Sequence, residues 1–190
     1  VKTFDRDEVL AFLAEIDQML TESVAMEIIG GAAALLAYGA HSATKDIDSL
    51  ANIDERIQQA ARRTTRTIPL DRAAIADPPY NYEDRRRSLD LPFRQLTIWV
   101  PERHDLLLMK AVRAQRHDVD VIEEMHQARP FDLDTLVERF DNEMGQTMID
   151  PRQFELQFLY IVERLFGAKS AQHVGAKGRP KMKRRGSDKL

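Results

Sequence analysis

Apolar residues recur at helical spacing near the start of the chain, at Val9, Leu10, Phe12, Leu13, Ile16, Met19 and Leu20. That period predicts an amphipathic helix that buries one side, with Thr3 or Asp5 as its cap. The pattern then changes scale. Val24 to Ile29 is a short run that predicts a strand, and Gly31 to Tyr38 predicts an alanine-rich helix whose small side chains allow close packing. Asp46 to Asn52 predicts a second strand, after which Asp54 caps a helix running to about Thr65, with Ile57, Ala60 and Ala61 turned inward. Phe93 to Val100 is rich in β-branched and aromatic residues and predicts a later strand, which Pro101 ends. The helical period then returns. Helices are expected over residues 102–115, 118–128, 132–143 and 151–166, the last with Phe154, Leu156, Phe158, Leu159, Val162, Leu165 and Phe166 as its apolar side.

Between Ile68 and Pro92 neither period holds. Pro69, Pro78, Pro79 and Pro92 interrupt a short helical pattern around residues 71–76 and a charged run from Glu83 to Arg87. This reads as a long irregular surface connection, and long loops in compact domains tend to be functional. No internal repeat and no sustained heptad is visible. The expected fold class is therefore α/β (α+β), a short mixed sheet flanked by helices with a helical C-terminal half. Its expected parts are a core over residues 1–128, a helical part over 129–167 and a disordered basic tail over 168–190.

Composition narrows the class further. In 190 residues, 43% hydrophobic and 31% charged, there is enough apolar material to bury a core, and the absence of cysteine excludes disulfides and thiolate metal sites. No basic and apolar leader and no membrane-length apolar run is present, so a cytoplasmic protein without a membrane partner is expected. The net charge of -3 hides an asymmetry. Gly175 to Leu190 holds seven bases and one acid, leaving 21 bases against 30 acids in the rest of the chain. An acidic body argues against a broad nucleic-acid surface, whereas a basic tail can add salt-dependent affinity for RNA.

The candidate chemistry lies between Glu27 and Leu50. Gly30-Gly31 ends the first strand and opens the alanine-rich helix, so the backbone can turn tightly there with no Cβ in the way. The first amides of that helix lack intrahelical partners and offer a seat for a phosphate. Asp46-Ile47-Asp48 alternates acid, apolar, acid, which on a strand puts both carboxylates on one face and Ile47 in the core. Two hard oxygen ligands beside a phosphate seat suit a magnesium nucleotide. Taken singly, a glycine pair is usually only a turn, and alternating acids usually mark a solvated face. In this order, on strand, turn, helix and strand, they point to a site. Lys110, Arg113 and Arg116 are spaced three residues apart and share a predicted helical face, although Lys110 after four apolar residues also suits an edge position with its head in water. Arg85-Arg86-Arg87 reads first as a solvated loop, and His41 and His104 lack the spaced partners of a zinc site.

Ile29-Gly30-Gly31, Asp46-Ile47-Asp48 and Leu107-Leu108-Met109-Lys110 with Arg116 and Asp118 resemble the nucleotidyltransferase superfamily, in a small bacterial branch similar to the AbiEii-like toxins of toxin-antitoxin systems. The resemblance spans roughly residues 24–125. It implies that Gly30 and Gly31 cradle the triphosphate of an NTP, that Asp46 and Asp48 ligate Mg²⁺, and that Lys110 reaches a phosphate oxygen. Thr44 and Lys45, just before the acid pair, join the nucleotide-binding set. The superfamily's third carboxylate has no counterpart within Leu96 to Val100, and Asp90, Asp118 and Asp120 stand as candidates, Asp90 for metal and Asp118 for catalysis. The expected function is transfer of a nucleoside monophosphate from a Mg²⁺-NTP to a hydroxyl of RNA, such as tRNA, or of protein, as the toxin partner of an antitoxin protein. The alternatives are a catalytically silent binding module of the same fold, acting as antitoxin or regulator, and an unrelated helical protein whose glycines and acids are incidental.

Overall fold

A computed structural model describes residues 2–73 and 76–176 and the backbone of 183 and 184. The chain forms two compact units, each made of two pieces of sequence: Val1–Ala74 with Arg85–Glu102, and Ile75–Asp84 with Arg103–Leu190. Residues 103–128 thus group with the later helices and not with the first strands.

In the first unit the expected helix is α1 (Arg6–Met19). Its cap is Asp5, whose carboxylate accepts from the Glu8 amide at 2.8 Å while the Glu8 carboxylate accepts from the Asp5 amide at 3.0 Å. Val9, Phe12, Leu13 and Ile16 form its buried side. β1 (Val24–Glu27) leads through Ile28 and Ile29 into α2 (Gly30–Ala37), followed by β2 (Ile47–Ser49) and α3 (Glu55–Ala61), the last capped by Asp54. Then come β3 (Leu70–Arg72), α4 (Tyr82–Arg85), where the chain re-enters this unit, β4 (Arg87–Ser88) and β5 (Leu96–Val100).

The sheet is mixed and flanked by helices, as the residue pattern predicts. β5 lies between β1, to which it is parallel, and β4, to which it is antiparallel, while β2 and β3 pair in parallel. An antiparallel bridge between Ile29 and Asp48 joins the two sets of strands, with the Ile29 amide donating to the Asp48 carbonyl at 2.9 Å. Val24, Met26, Leu96, Ile98 and Val100 are buried on one face, whereas Ala25 and Thr97 are exposed on the other.

The stretch over residues 68–92 is more regular than its prolines suggest. It contains β3, α4 and β4, and Asp71 and Arg72 are strand where a helical pattern was expected; Ala74 and Ile75, also within that pattern, lie outside the described residues. The two strands exist because partner strands, β2 for β3 and β5 for β4, supply their hydrogen bonds, and a two- or three-residue strand has almost no signature of its own.

The second unit is helical: α5 (Arg103–Ala111), α6 (Arg116–Ala128), α7 (Leu133–Glu143), α8 (Pro151–Phe166) and α9 (Ala168–Ala176), with β6 (Gln146–Thr147) and β7 (Lys183–Arg184) paired in parallel. Its core includes Leu106, Leu107, Leu108, Ile122 and Met125, with Phe140 stacked on Phe158 at 4.1 Å and tilted against Phe154 at 4.9 Å. Two expectations change here. α5 ends at Ala111 and Ala114 takes a left-handed φ of 43°, so Arg116 opens α6 and does not continue the face of Lys110 and Arg113. The helical part also continues past residue 167, because α9 turns Val174 inward and sets Gly175 against Leu159 of α8. The rest of the tail expected to be disordered lies outside the described residues, apart from the backbone of 183 and 184.

One buried acid fastens the first unit. Asp17 of α1 accepts from the backbone amides of Arg94, Gln95 and Leu96, at 3.0, 2.7 and 2.8 Å, at the entry to β5. Burial raises its pKa, but the three amides and the Arg94 charge outweigh that and hold it below the usual carboxylate value. Replacing Asp17 with Ala leaves buried donors without an acceptor and is expected to cost about 2–4 kcal/mol in chemical denaturation at neutral pH. Because folding lowers the pKa, this contribution is complete above the unfolded-state value near 4 and is lost as pH falls through the folded-state value. The stability gap between wild type and Asp17→Ala should therefore narrow in acid.

Candidate active site

The glycine turn and the acid pair meet in the first unit. Gly30 has a φ of 67°, a backbone conformation that disfavours a side chain, and a Cβ there would stand 3.4 Å from Asp48 Oδ2. At Gly31 a Cβ would stand 3.0 Å from Thr44 Oγ1, closer than ordinary contact. The turn therefore touches Asp48 and Thr44 because it has no side chains. Thr44 in turn donates from Oγ1 to the Asp46 carbonyl at 2.9 Å and exchanges backbone hydrogen bonds of 2.7 and 2.9 Å with Phe4. These bonds fix the loop just before the acid pair.

Asp46 and Asp48 are half-buried on either side of Ile47, which is fully buried, as the alternation predicts. Above them α2 begins at Gly30. Its N-cap, Ile29, makes no side-chain capping bond, whereas α1, α3, α7 and α8 are all capped by an aspartate carboxylate. The first amides of α2 thus have no N-cap side chain as their acceptor. Lys45 is exposed.

Asp90 does not join this group. It follows β4, which is separated from β2 by β5 and β1, and it is exposed. Among the described residues no three His, Cys, Asp or Glu side chains are grouped to hold a metal ion. A further acid does lie beside Asp48: in the parallel ladder Asp48 is the register partner of Asp71, so the two point to the same face of the sheet on strands about 4.8 Å apart. Reading residues 71–76 as helical hid Asp71. The alternation Ile68, Leu70 with Asp71 following was the one signal available, and it is only a few residues long.

Lys110 and Asp118 come together in the second unit, on each other. Asp118 is fully buried and accepts from Lys110 Nζ at 3.1 Å, from Arg113 Nε and Nη2 at 2.7 Å each, and from the Gln115 amide at 3.3 Å. Burial raises its pKa, and the Arg113 hydrogen bonds and the Lys110 charge more than offset this and hold it below the usual carboxylate value. Four donors saturate a carboxylate, which makes Asp118 an anchor for two cations and a poor proton acceptor. Asp120 is exposed on α6.

A family model described as a nucleotidyltransferase of unknown function (DUF6036) matches residues 7–163. The chain belongs to this nucleotidyltransferase family. The match covers both units and includes Gly30, Gly31, Asp46, Asp48, Asp71, Lys110 and Asp118. No curated protein and no solved structure matches the chain. Among the described residues no helix is long and apolar enough to cross a membrane.

Two substitutions test this arrangement. Gly31→Ala should destabilise the protein by forcing Thr44 away, and adding Thr44→Ala should recover part of the loss; a denaturation cycle of the four proteins should give a coupling of about 0.5–3 kcal/mol. Asp118→Asn removes the charge that neutralises buried Lys110 and should cost about 3–5 kcal/mol in the same measurement. Since folding lowers the Asp118 pKa, that difference should shrink as pH falls below the unfolded-state value near 4.

Proposed function

We propose that the first unit binds the triphosphate of a Mg²⁺-NTP at the Gly30-Gly31 turn and the Asp46-Asp48 segment, and that a hydroxyl attacks the α-phosphorus, taking the nucleoside monophosphate while the bond to the β-phosphate breaks and pyrophosphate leaves. The observation that supports this best is the direct apposition of Gly30 to Asp48 and of Gly31 to Thr44, which puts the start of a helix without an N-cap side-chain bond next to the Asp48 carboxylate. The donor set suits magnesium, which is commonly held by one or two carboxylates, with substrate phosphates and water filling its remaining positions. Asp46 and Asp48 would hold it, and when bound it supplies charge neutralisation at the phosphate oxygens.

The chain's own residues do the rest. The amides of Gly30 and Gly31 orient the phosphates, Thr44 holds Asp46 in place, and exposed Lys45 adds positive charge. Asp71, beside Asp48 in the ladder, is assigned to accept the proton of the attacking hydroxyl. The likeness to AbiEii-like toxins supports RNA, including tRNA, or a protein as the source of the hydroxyl, and a toxin role in the cytoplasm with an antitoxin as partner.

A second reading is a catalytically silent member of the family that binds nucleotide as a regulator or antitoxin. It is favoured by the absence, among the described residues, of a three-acid group that could share a metal.

Incubation with each α-labelled NTP, Mg²⁺ and total RNA or cell extract distinguishes the two. Transfer of label that falls on the order of 100-fold or more in Asp48→Ala supports catalysis. Asp71→Asn should lower kcat with little change in KM. Nucleotide binding without transfer supports the silent reading, and transfer that survives Asp46→Ala with Asp48→Ala would exclude this site.

A further inference from the structure

A second row of side chains crosses the sheet next to the site. Glu27 of β1, Trp99 of β5 and Ser88 of β4 are register partners, so their side chains leave the sheet side by side on the face where Ala25 and Thr97 are exposed. The bridge from Ile29 to Asp48 carries that face into the acid strand, since Ile29 and Glu27 alternate to the same side. Gly30 follows Glu27 by three residues, about 10 Å along an extended chain. This is within the reach of one nucleotide.

The row is built around a flat surface. Trp99 is half-buried, and the Arg86 guanidinium lies over its ring at 5.8 Å from the centroid. Glu27, 8% exposed, holds Arg86 there with Oε2 at 3.8 Å from Nη1. A strand tryptophan and a planar guanidinium kept together in this way give two π surfaces on which a base can stack.

We propose that Trp99 and Arg86 form a nucleobase-stacking platform next to the phosphate seat, with Glu27 as the positioning residue that orients Arg86. The proposal rests on the nucleotide reading above. The base comes either from the NTP or from the terminal nucleotide of an RNA acceptor. Stacking tolerates all four bases, so little discrimination among NTPs is expected.

Trp99 is the chain's one tryptophan, so its fluorescence reports on the platform alone. The full chain with Mg²⁺ is titrated with inorganic triphosphate, with each NTP, and with oligoadenylate in the presence of NTP, following fluorescence and heat together. Triphosphate should bind without quenching Trp99, and NTPs should quench it with the affinity read from the heat. Quenching only when oligoadenylate is added assigns the base to the acceptor. Arg86→Ala should weaken the base-dependent affinity roughly fivefold or more. Arg86→Lys should not restore it, whereas a purely electrostatic role would be rescued by lysine. NTPs that bind by calorimetry no more tightly than triphosphate, with Trp99 unchanged also on adding oligoadenylate, overturn the platform and leave the phosphate seat standing. Failure of triphosphate and NTPs to bind at all overturns both.

Discussion

The close approach of a side-chain-free turn to an acid-bearing strand is the constraint on which the candidate site depends. Gly30 and Gly31 lie against Asp48 and Thr44, and the space left is too small for a Cβ at the second position and the backbone unsuited to one at the first. The Ile29 to Asp48 bridge holds the two segments together through backbone, so the identity of the acids is free to serve chemistry. A Cβ would strain the backbone at the first position and press on the Thr44 hydroxyl at the second.

Carboxylates do opposite work in this protein according to what surrounds them. Asp17 and Asp118 are buried, and amides in one case and two cations in the other fill their oxygens and hold their pKa values low. They are structural anions. Asp46 and Asp48 are half-buried, and Asp71 is exposed beside Asp48, which leaves their face of the sheet accessible to a cation or a proton. A sequence shows all five as the same letter. Burial separates them.

The long periodic elements were legible. α1, α6, α7 and α8 fall within a few residues of where the apolar period puts them, and Pro151 and Phe166 bound α8 in both readings. The glycine turn and the acid pair were also legible, because their chemistry is local: a residue type at a fixed offset from a strand or a helix start. β3 and β4 were not. Each is two or three residues long, and each exists through a partner strand that its own residues do not specify, β2 for β3 and the next strand β5 for β4. The helical reading of residues 71–76 and the continuous face from Lys110 to Arg116 failed for a related reason, since a pattern of side chains carries no record of a ladder partner or of the left-handed turn at Ala114.

By itself the amino-acid sequence determined the class of fold, the glycine turn between strand and helix, and the alternation that puts Asp46 and Asp48 on either side of buried Ile47, since each depends on near neighbours and on the geometry of a helix or a strand. Only the tertiary structure decided which acids are partners. It put Asp71 beside Asp48, moved Asp90 to the far side of the sheet, enclosed Asp118 between Lys110 and Arg113, and set Arg86 over Trp99. Each of these depends on strand order and register, and these arise from burial of the whole sheet, to which every element contributes and of which no short segment holds the pattern.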